Sequence, residues 1–160
     1  MLDGLLIERA HAKINLGLKV LGRRSDGYHD ILSLAQCVDL ADILHIAPAA
    51  ADELTCTVDH LSTGPDNLVR RALEAFRTHR SVAPLQIHLE KHIPMGAGLG
   101  GGSADAAAVL RALNRLCDAP LSTVALSALG AALGSDIPFL IEGGTALMRG
   151  RGEILEPQQW

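Results

Sequence analysis

Residues 94–108 read PMGAGLGGGSADAAA, a glycine-rich loop that leads directly into an alanine-rich helix. Five of the seven residues from 96 to 102 are glycine, so few side chains here would keep a ligand away from the backbone. The first turn of a helix has backbone N–H groups without helical partners and carries the positive end of the helix dipole, and both favour anions. The segment therefore predicts a binding site for phosphate groups.

Length and composition are typical of one globular domain. The chain has 160 residues, of which 48% are hydrophobic and 20% charged, and this length is sufficient to bury a core. A formal net charge of −4 gives no electrostatic reason to expect nucleic acid or an anionic membrane as a partner. The three widely spaced cysteines and the lack of a signal-like or membrane-spanning apolar run lead us to expect a cytoplasmic protein.

Hydrophobic periodicity predicts a first half made of strands and a second half rich in helices. Apolar residues at even positions from Ala10 to Val20 alternate with polar or small residues, which is typical of a half-buried strand. We expect further strands near 29–39, 42–47, 53–58 and 85–89, helices near 65–80, 103–117 and 120–133, and short strands near 138–142 and 144–149. This order favours an α+β fold or a mixed α/β sandwich.

Several kinds of glycine loop fit residues 96–102 to different degrees. A Walker loop needs a lysine directly after its last glycine, and this loop has none. The dinucleotide spacing G-x-G-x-x-G is present at Gly96, Gly98 and Gly101, but Pro94 interrupts the turn from strand to helix. The glycines would alternatively serve only to let a helix pack closely on a sheet. A further alternative is the loop type found in sugar and metabolite kinases.

Four motifs in order resemble a known family. They are the loop at 94–104, Ala12-Lys13-Ile14-Asn15-Leu16, Gly27-Tyr28-His29 and Gly134-Ser135-Asp136-Ile137-Pro138-Phe139. The loop resembles the ATP-binding loop of the GHMP kinases (galactokinase, homoserine, mevalonate and phosphomevalonate kinases). The other motifs resemble the branch of that family that phosphorylates a cytidine diphosphate-linked methylerythritol in non-mevalonate isoprenoid biosynthesis. The resemblance covers about residues 10–155 and implies a two-layer α+β domain with the ribosomal protein S5 domain 2-like fold.

Phosphoryl transfer requires positioning, charge stabilisation and a group that deprotonates the attacking hydroxyl. Asp136 suits the base because it lies in a turn that Pro138 should stiffen by holding Ile137 extended. Strand alternation puts Lys13 on the same face as Asn15, and Lys13 within about 4 Å of Asp136 would keep the base ionised. The resemblance implies that Lys13 and Asp136 are catalytic and that Asn15 lies beside the substrate. Without the resemblance, Lys13 and Asn15 would be ordinary residues of a solvated sheet face, and Asp136 would be a turn former.

The resemblance also implies two groups of binding residues. Tyr28 is the only tyrosine of the chain and lies in a polar turn, where its ring can stack on a base; with His29 it would hold cytosine. The residues implied to bind ATP are Asn67, Lys91, Pro94, Gly96, Ala97, Gly98, Leu99, Gly100, Gly101, Gly102, Ser103 and Ala104. Asn67 would alternatively cap a helix. At Asp105, where the family more often has asparagine, the carboxylate would face the nucleotide end of the loop. Arg149 and Arg151 lie in a Gly-rich turn and could touch the substrate diphosphate, but we interpret this turn as solvated.

The resemblance implies ATP as phosphoryl donor with Mg²⁺ on its phosphates, whose protein ligands the sequence does not identify. GHMP kinases have a second glycine-rich segment in a C-terminal domain that closes the cleft, and this chain ends at Trp160, near where that domain would begin. We therefore expect residues 1–160 to be the N-terminal domain alone, weakly active or inactive, and to self-associate as a homo-oligomer through an exposed apolar face. Two rivals stay open: another small-molecule kinase of the family, and a non-catalytic nucleotide- or NAD(P)-binding domain.

Overall fold

Six strands form one sheet, and four helices supply a second layer. The computed structural model describes residues 4–159, so both ends of the predicted 1–160 domain lie outside the described residues. The strands are β1 (Leu6–Arg23), β2 (His29–Pro48), β3 (Glu53–Cys56), β4 (Leu85–Glu90), β5 (Thr145–Gly150) and β6 (Ile154–Pro157), and the helices are α1 (Leu68–Arg77), α2 (Gly101–Leu116), α3 (Thr123–Leu133) and α4 (Ile137–Glu142). Within residues 4–159, none of these helices has the length and apolar character needed to cross a bilayer.

The long strand β2 organises the sheet. It pairs antiparallel with β1 along one edge, and with β4 and β5 at the two ends of its other edge. The one parallel pair joins β3 to β4, and β6 extends the sheet antiparallel from β5. The two strands predicted at 29–39 and 42–47 are thus a single strand. A dinucleotide-binding domain requires an open, mostly parallel sheet, so the described strands do not form one.

Strand β1 breaks its alternation close to its middle. A register shift lies between His11 and Lys13, and Ala12 and Lys13 are consequently both buried. A bulge of this kind re-aims a side chain that strict alternation would put on the opposite face. The interpretation of Lys13 as a residue of a wet sheet face is therefore wrong, since only 6% of this residue is exposed.

The second half of β1 extends beyond the helical layer. Every residue from 15 to 23 is exposed, including Leu16, Leu18 and Val20, although α2 and α4 pack against the strand. The predicted half-buried alternation holds for Ala10 and Ala12, which are fully buried, and is wrong for the three later residues. They form an exposed apolar strip on the β1–β2 hairpin.

Helix α2 lies at the centre of the core. All its residues from Ala104 to Leu110 are buried, because α1, α3, α4 and the sheet pack around it. Alanine side chains at 104 and 106–108 leave room for this close approach. Leu116 is 48% exposed where the helix ends.

A short helix follows the Gly-Ser-Asp turn, where the sequence predicts a strand over 138–142. Pro138 lies in the first turn of α4, where a missing backbone N–H costs no helical hydrogen bond. Ile137 is therefore helical rather than extended, and both predictions are wrong. The run Ile137 to Ile141 is entirely buried, and a short apolar run of this length fits a buried helix as well as a buried strand.

Candidate active site

The loop between β4 and α2 adopts left-handed backbone conformations at alternate residues. Gly96, Gly98 and Gly100 have φ angles of 72°, 74° and 72°, which L side chains rarely adopt. Gly100 is the N-cap of α2 and makes no side-chain hydrogen bond to its first turn. The first N–H groups of α2 therefore lack a side-chain cap, which leaves them able to bind an anion.

A cavity of about 340 Å³ lies beside this loop. The residues predicted to bind ATP that line it are Asn67, Lys91, Pro94, Gly96, Ala97, Gly98, Leu99, Gly100, Gly101 and Gly102. Two others do not line it. Ala104 is buried in the core. Ser103 lies on the side of the Gly-Ser-Asp turn, since its Oγ is 3.8 Å from a Cβ built on Gly134.

The cavity also has walls that sequence reasoning missed. These are Leu61, Ser62, Asp66, Leu68, Ile93 and Met95. Asp105, predicted from the sequence to face the nucleotide end of the loop, also lines the cavity. The segment before α1 and the first residue of that helix bring Leu61, Ser62, Asp66 and Leu68 to the cavity together with Asn67. That residue also caps α1, as the alternative interpretation predicts: its Oδ1 accepts from the N–H of Val69 at 2.8 Å, and its Nδ2 donates to the carbonyl of Ser62 at 2.6 Å.

Lys91 lies in the cavity wall between two buried carboxyl groups. Its Nζ donates to Oδ2 of Asp105 at 2.9 Å and to Oδ2 of Asp42, and all three side chains are at most 5% exposed. Burial raises the pKa of Asp105 to about 7, although Lys91 acts in the opposite direction. Burial alone would lower the pKa of Lys91, but the two carboxyl groups raise it above its ordinary value. Asp42 belongs to no motif, so nothing in the local sequence indicates its role.

Lys13 and Asp136 meet on the other side of the loop. The Nζ of Lys13 lies 3.3 Å from Oδ2 of Asp136, which confirms the predicted approach, and it donates to Oδ1 of Asn15 at 3.3 Å. The backbone N–H of Lys13 donates to the carbonyl of Leu99 at 3.0 Å. A Cβ built on Gly100 would lie 3.3 Å from the Cγ of Lys13, so the lysine packs directly against the loop.

The carboxyl group of Asp136 is free to act outside its own helix. Asp136 is the N-cap residue of α4 but makes no capping hydrogen bond, and its side chain is 31% exposed. One oxygen faces Lys13, while the partial exposure gives a ligand access to the group. A carboxylate paired in this way can accept a proton from a hydroxyl group while the ammonium stabilises negative charge beside it.

Tyr28 and His29 lie at the end of the β1–β2 hairpin, and both are exposed. The Cζ of Arg151 lies 4.9 Å from the ring centroid of Tyr28, which is a cation–π contact. The interpretation of the Arg151 turn as solvated did not include this contact. The turn that carries Arg151 also reaches the Gly-Ser-Asp turn, since a Cβ built on Gly152 would lie 3.4 Å from the carbonyl oxygen of Ser135. A series of contacts thus leads from the ring of Tyr28, through the Lys13–Asp136 pair, to the glycine loop at 96–102.

The site has no preformed metal centre. Among residues 4–159, no three His, Cys, Asp or Glu side chains come together in a way that could hold an ion. Mg²⁺ typically keeps several waters and binds one or two carboxylates together with substrate phosphates. The residues present therefore fit Mg²⁺ only when the ion binds together with phosphate groups.

Gly100→Ala tests the loop geometry. The new side chain would require a left-handed residue with a Cβ against Lys13, so we expect the free energy of unfolding to fall by about 1–2 kcal/mol in urea titrations. Gly17→Ala is the matched control, because Gly17 has no positive φ and nothing within 4 Å of an added Cβ. Its expected change is below about 0.5 kcal/mol. Equal stability of the two variants would contradict the described loop.

One known protein family and several relatives match this chain in sequence. Residues 67–144 match the family described as GHMP kinases N terminal domain. A 4-diphosphocytidyl-2-C-methyl-D-erythritol kinase from Synechococcus sp. (strain CC9902) is 48% identical over 157 residues, 96% of this chain and 51% of the relative. One from Pelotomaculum thermopropionicum is 51% identical over 150 residues, 92% of this chain and 52% of the relative. The chain thus spans about half the length of these relatives.

Solved structures share the same fold. A crystal structure of 4-(cytidine 5'-diphospho)-2C-methyl-D-erythritol kinase superposes with a TM-score of 0.80 at 42% identity, covering 96% of this chain and 55% of the other. A mevalonate kinase superposes with a TM-score of 0.72 at 15% identity, covering 96% of this chain and 56% of the other, and at that identity the likeness concerns the fold alone. The predicted α+β fold of the ribosomal protein S5 domain 2-like type is confirmed.

Proposed function

We propose that this chain belongs to the GHMP kinases and carries the ATP-binding side of a 4-diphosphocytidyl-2-C-methyl-D-erythritol kinase. In that reaction the γ-phosphoryl group of ATP passes to the 2-hydroxyl of the cytidine-linked substrate, in non-mevalonate isoprenoid biosynthesis. The observation that carries the proposal is the Lys13–Asp136 pair, 3.3 Å apart, between the glycine loop and the exposed ring of Tyr28. The names and 48–51% identity of the relatives support this choice of substrate.

On the donor side, the triphosphate of ATP is proposed to bind the loop at 96–102. The left-handed glycines and the open start of α2 support this, because backbone N–H groups there supply the positive field. Lys91 contributes little net charge, since Asp42 and Asp105 both contact its ammonium group. Bound Mg²⁺ would supply further neutralisation of the phosphate charge.

On the acceptor side, Asp136 is proposed to take the proton of the attacking hydroxyl. Lys13 then stabilises the charge that develops on the transferring phosphoryl group, and its burial supports a fixed position for that charge. Asn15 accepts hydrogen bonds from Lys13 and from Ser33, at 3.3 and 3.1 Å, through its Oδ1. These bonds orient the amide so that its NH₂ group can donate to the substrate.

The proposal extends to the organisation of the protein. Residues 1–160 are proposed to be the N-terminal domain, with efficient turnover requiring the part of the relatives that this chain does not span. The exposed Leu16, Leu18 and Val20 support self-association of the chain, and the three free cysteines support a cytoplasmic location.

Calorimetric titration of the chain tests the proposed function. We expect ATP and cytidine 5'-diphosphate to bind with one-to-one stoichiometry. Each should still bind when the other is present, and NAD should not bind. Tyr28→Ala should abolish binding of the cytidine nucleotide, because its exposed ring is the proposed stacking partner, and should leave ATP binding unchanged, because Tyr28 does not line the cavity. Binding of NAD without ATP would overturn the proposal, and binding of ATP alone would favour another small-molecule kinase of the family.

A further inference from the structure

We propose that Asp105 takes up a proton when a nucleotide polyphosphate binds in the cavity, so that nucleotide affinity falls as the pH rises through neutrality. This inference rests on the proposed function, because it requires the cavity beside the loop to be a nucleotide site. Asp105 contributes charge to the wall of the site and is not one of the reacting groups.

The first step of the argument is the sharing of one ammonium group by two carboxyl groups. Asp42 is fully buried and accepts from Lys91 and from the backbone N–H groups of His92 and Ile93, at 2.5 and 2.8 Å. These three donors compensate its negative charge well. Asp105 has only its share of Lys91, through Oδ2 at 2.9 Å. Of the two groups, Asp105 therefore has fewer donors to compensate its negative charge.

The second step is the free oxygen of Asp105. Its Oδ1 is buried and has no hydrogen-bond partner among the described residues. A buried carboxylate oxygen without a donor is costly, whereas a protonated Oδ1 is itself a donor. Because Asp105 lines the cavity, a ligand there can supply the acceptor that the protein does not.

The third step is the charge of the ligand. Burial already brings the pKa of Asp105 to about 7. The charged groups that act on it are Lys91, which follows β4, and Asp42 on β2; among the described residues, α1, α3, α4 and β1 add none. Phosphate groups at the start of α2 would lie within a turn or so of Asp105, and like charge raises the pKa of a carboxyl group further.

The linkage fixes the sign of the effect. In the free protein the proton leaves Asp105 as the pH rises through about 7, whereas in the complex it stays bound. Nucleotide binding above that pH must therefore include proton uptake, and affinity falls by up to tenfold for each pH unit. Between pH 6 and pH 8 we expect a loss of roughly tenfold that is due to Asp105 alone.

Calorimetry of ADP binding at pH 6, 7 and 8 tests this inference, in pairs of buffers with different heats of ionisation. The wild-type chain should take up about half a proton or more per ADP at pH 7 and above. Asp105→Asn keeps the shape of the side chain but cannot titrate, so its affinity should follow only the titration of ADP itself. Asp118→Asn makes the same change at an exposed position and should behave like the wild type.

The outcomes separate this inference from the proposed function. ADP binding with the same proton uptake and pH dependence in the wild type and Asp105→Asn would overturn the role of Asp105 alone. Absence of ADP binding by the wild type at every pH would remove the nucleotide site, and with it both proposals. The proton count of the wild type needs no variant, so a count near zero at pH 7 and 8 overturns the inference even if Asp105→Asn does not fold.

Discussion

Lys91→Met will lower the free energy of unfolding by about 3–5 kcal/mol, a large share of the stability of a domain of this size. The ammonium group of Lys91 is the one side-chain cation that contacts Asp42 and Asp105 among the described residues, and both carboxyl groups are at least 96% buried. Removing it leaves buried negative charge without compensation. The loss should be smaller at pH 5 than at pH 8, because Asp105 then carries its proton.

Urea denaturation followed by circular dichroism measures this effect. Lys19→Met is the matched control, because Lys19 is exposed on the outer half of β1 and its loss should change stability by less than about 0.5 kcal/mol. If Lys91→Met were as stable as Lys19→Met, the ammonium group would not compensate the two carboxyl groups, and the account of the cavity wall would be wrong.

Asp136→Asn will reduce the rate of phosphoryl transfer by about 10²- to 10⁴-fold, the range expected when a general base is removed. ATP affinity should stay unchanged, because Asp136 does not line the cavity beside the loop. Lys13→Met should cause a similar loss, and the double variant should be little worse than either single one. Two groups that act as a unit, here 3.3 Å apart, give non-additive effects.

The rate measurement requires a chain of the relatives' length, made by joining residues 1–159 to the remaining half of the Pelotomaculum thermopropionicum relative. ADP release in a coupled assay, with the cytidine-linked methylerythritol as acceptor, reports the rate. Asp59→Asn, an identical change at an exposed position, is the control. A variant at Asp136 that keeps most of the control rate would exclude this carboxyl group as the base. Efficient turnover by the 160-residue chain alone would contradict the proposed domain organisation.

Local sequence was enough to predict the loop and much of the helical layer. The glycines at 96–102 and the alanines after them act through the backbone of their own segment, so their conformation follows from nearby residues. The same is true of the cap at Asn67, whose side chain accepts from the N–H group two residues away.

Features that depend on distant contacts were not predictable in this way. Lys13 is buried because a register shift re-aims it, and the period-two pattern contains no sign of that shift. Asp42 lies 49 residues before Lys91 in the sequence, and only the pairing of β2 with β4, which puts Ile43 opposite Glu90, brings them together. The run that forms α4 is too short and uniformly apolar to distinguish helix from strand by periodicity.

The central claim is that ADP and a cytidine nucleotide occupy opposite sides of the Lys13–Asp136 pair, and amide NMR spectra of the chain test it most directly. Addition of ADP should shift the amide signals of residues 96–105 and 61–68, whereas cytidine 5'-diphosphate should shift those of residues 27–30. Lys13 and Asp136 should respond to both. The claim would be contradicted if ADP left residues 96–105 unchanged and shifted instead the amide signals of the groove that contains Cys37 and Arg111, whose lining shares no residue with the cavity beside the loop.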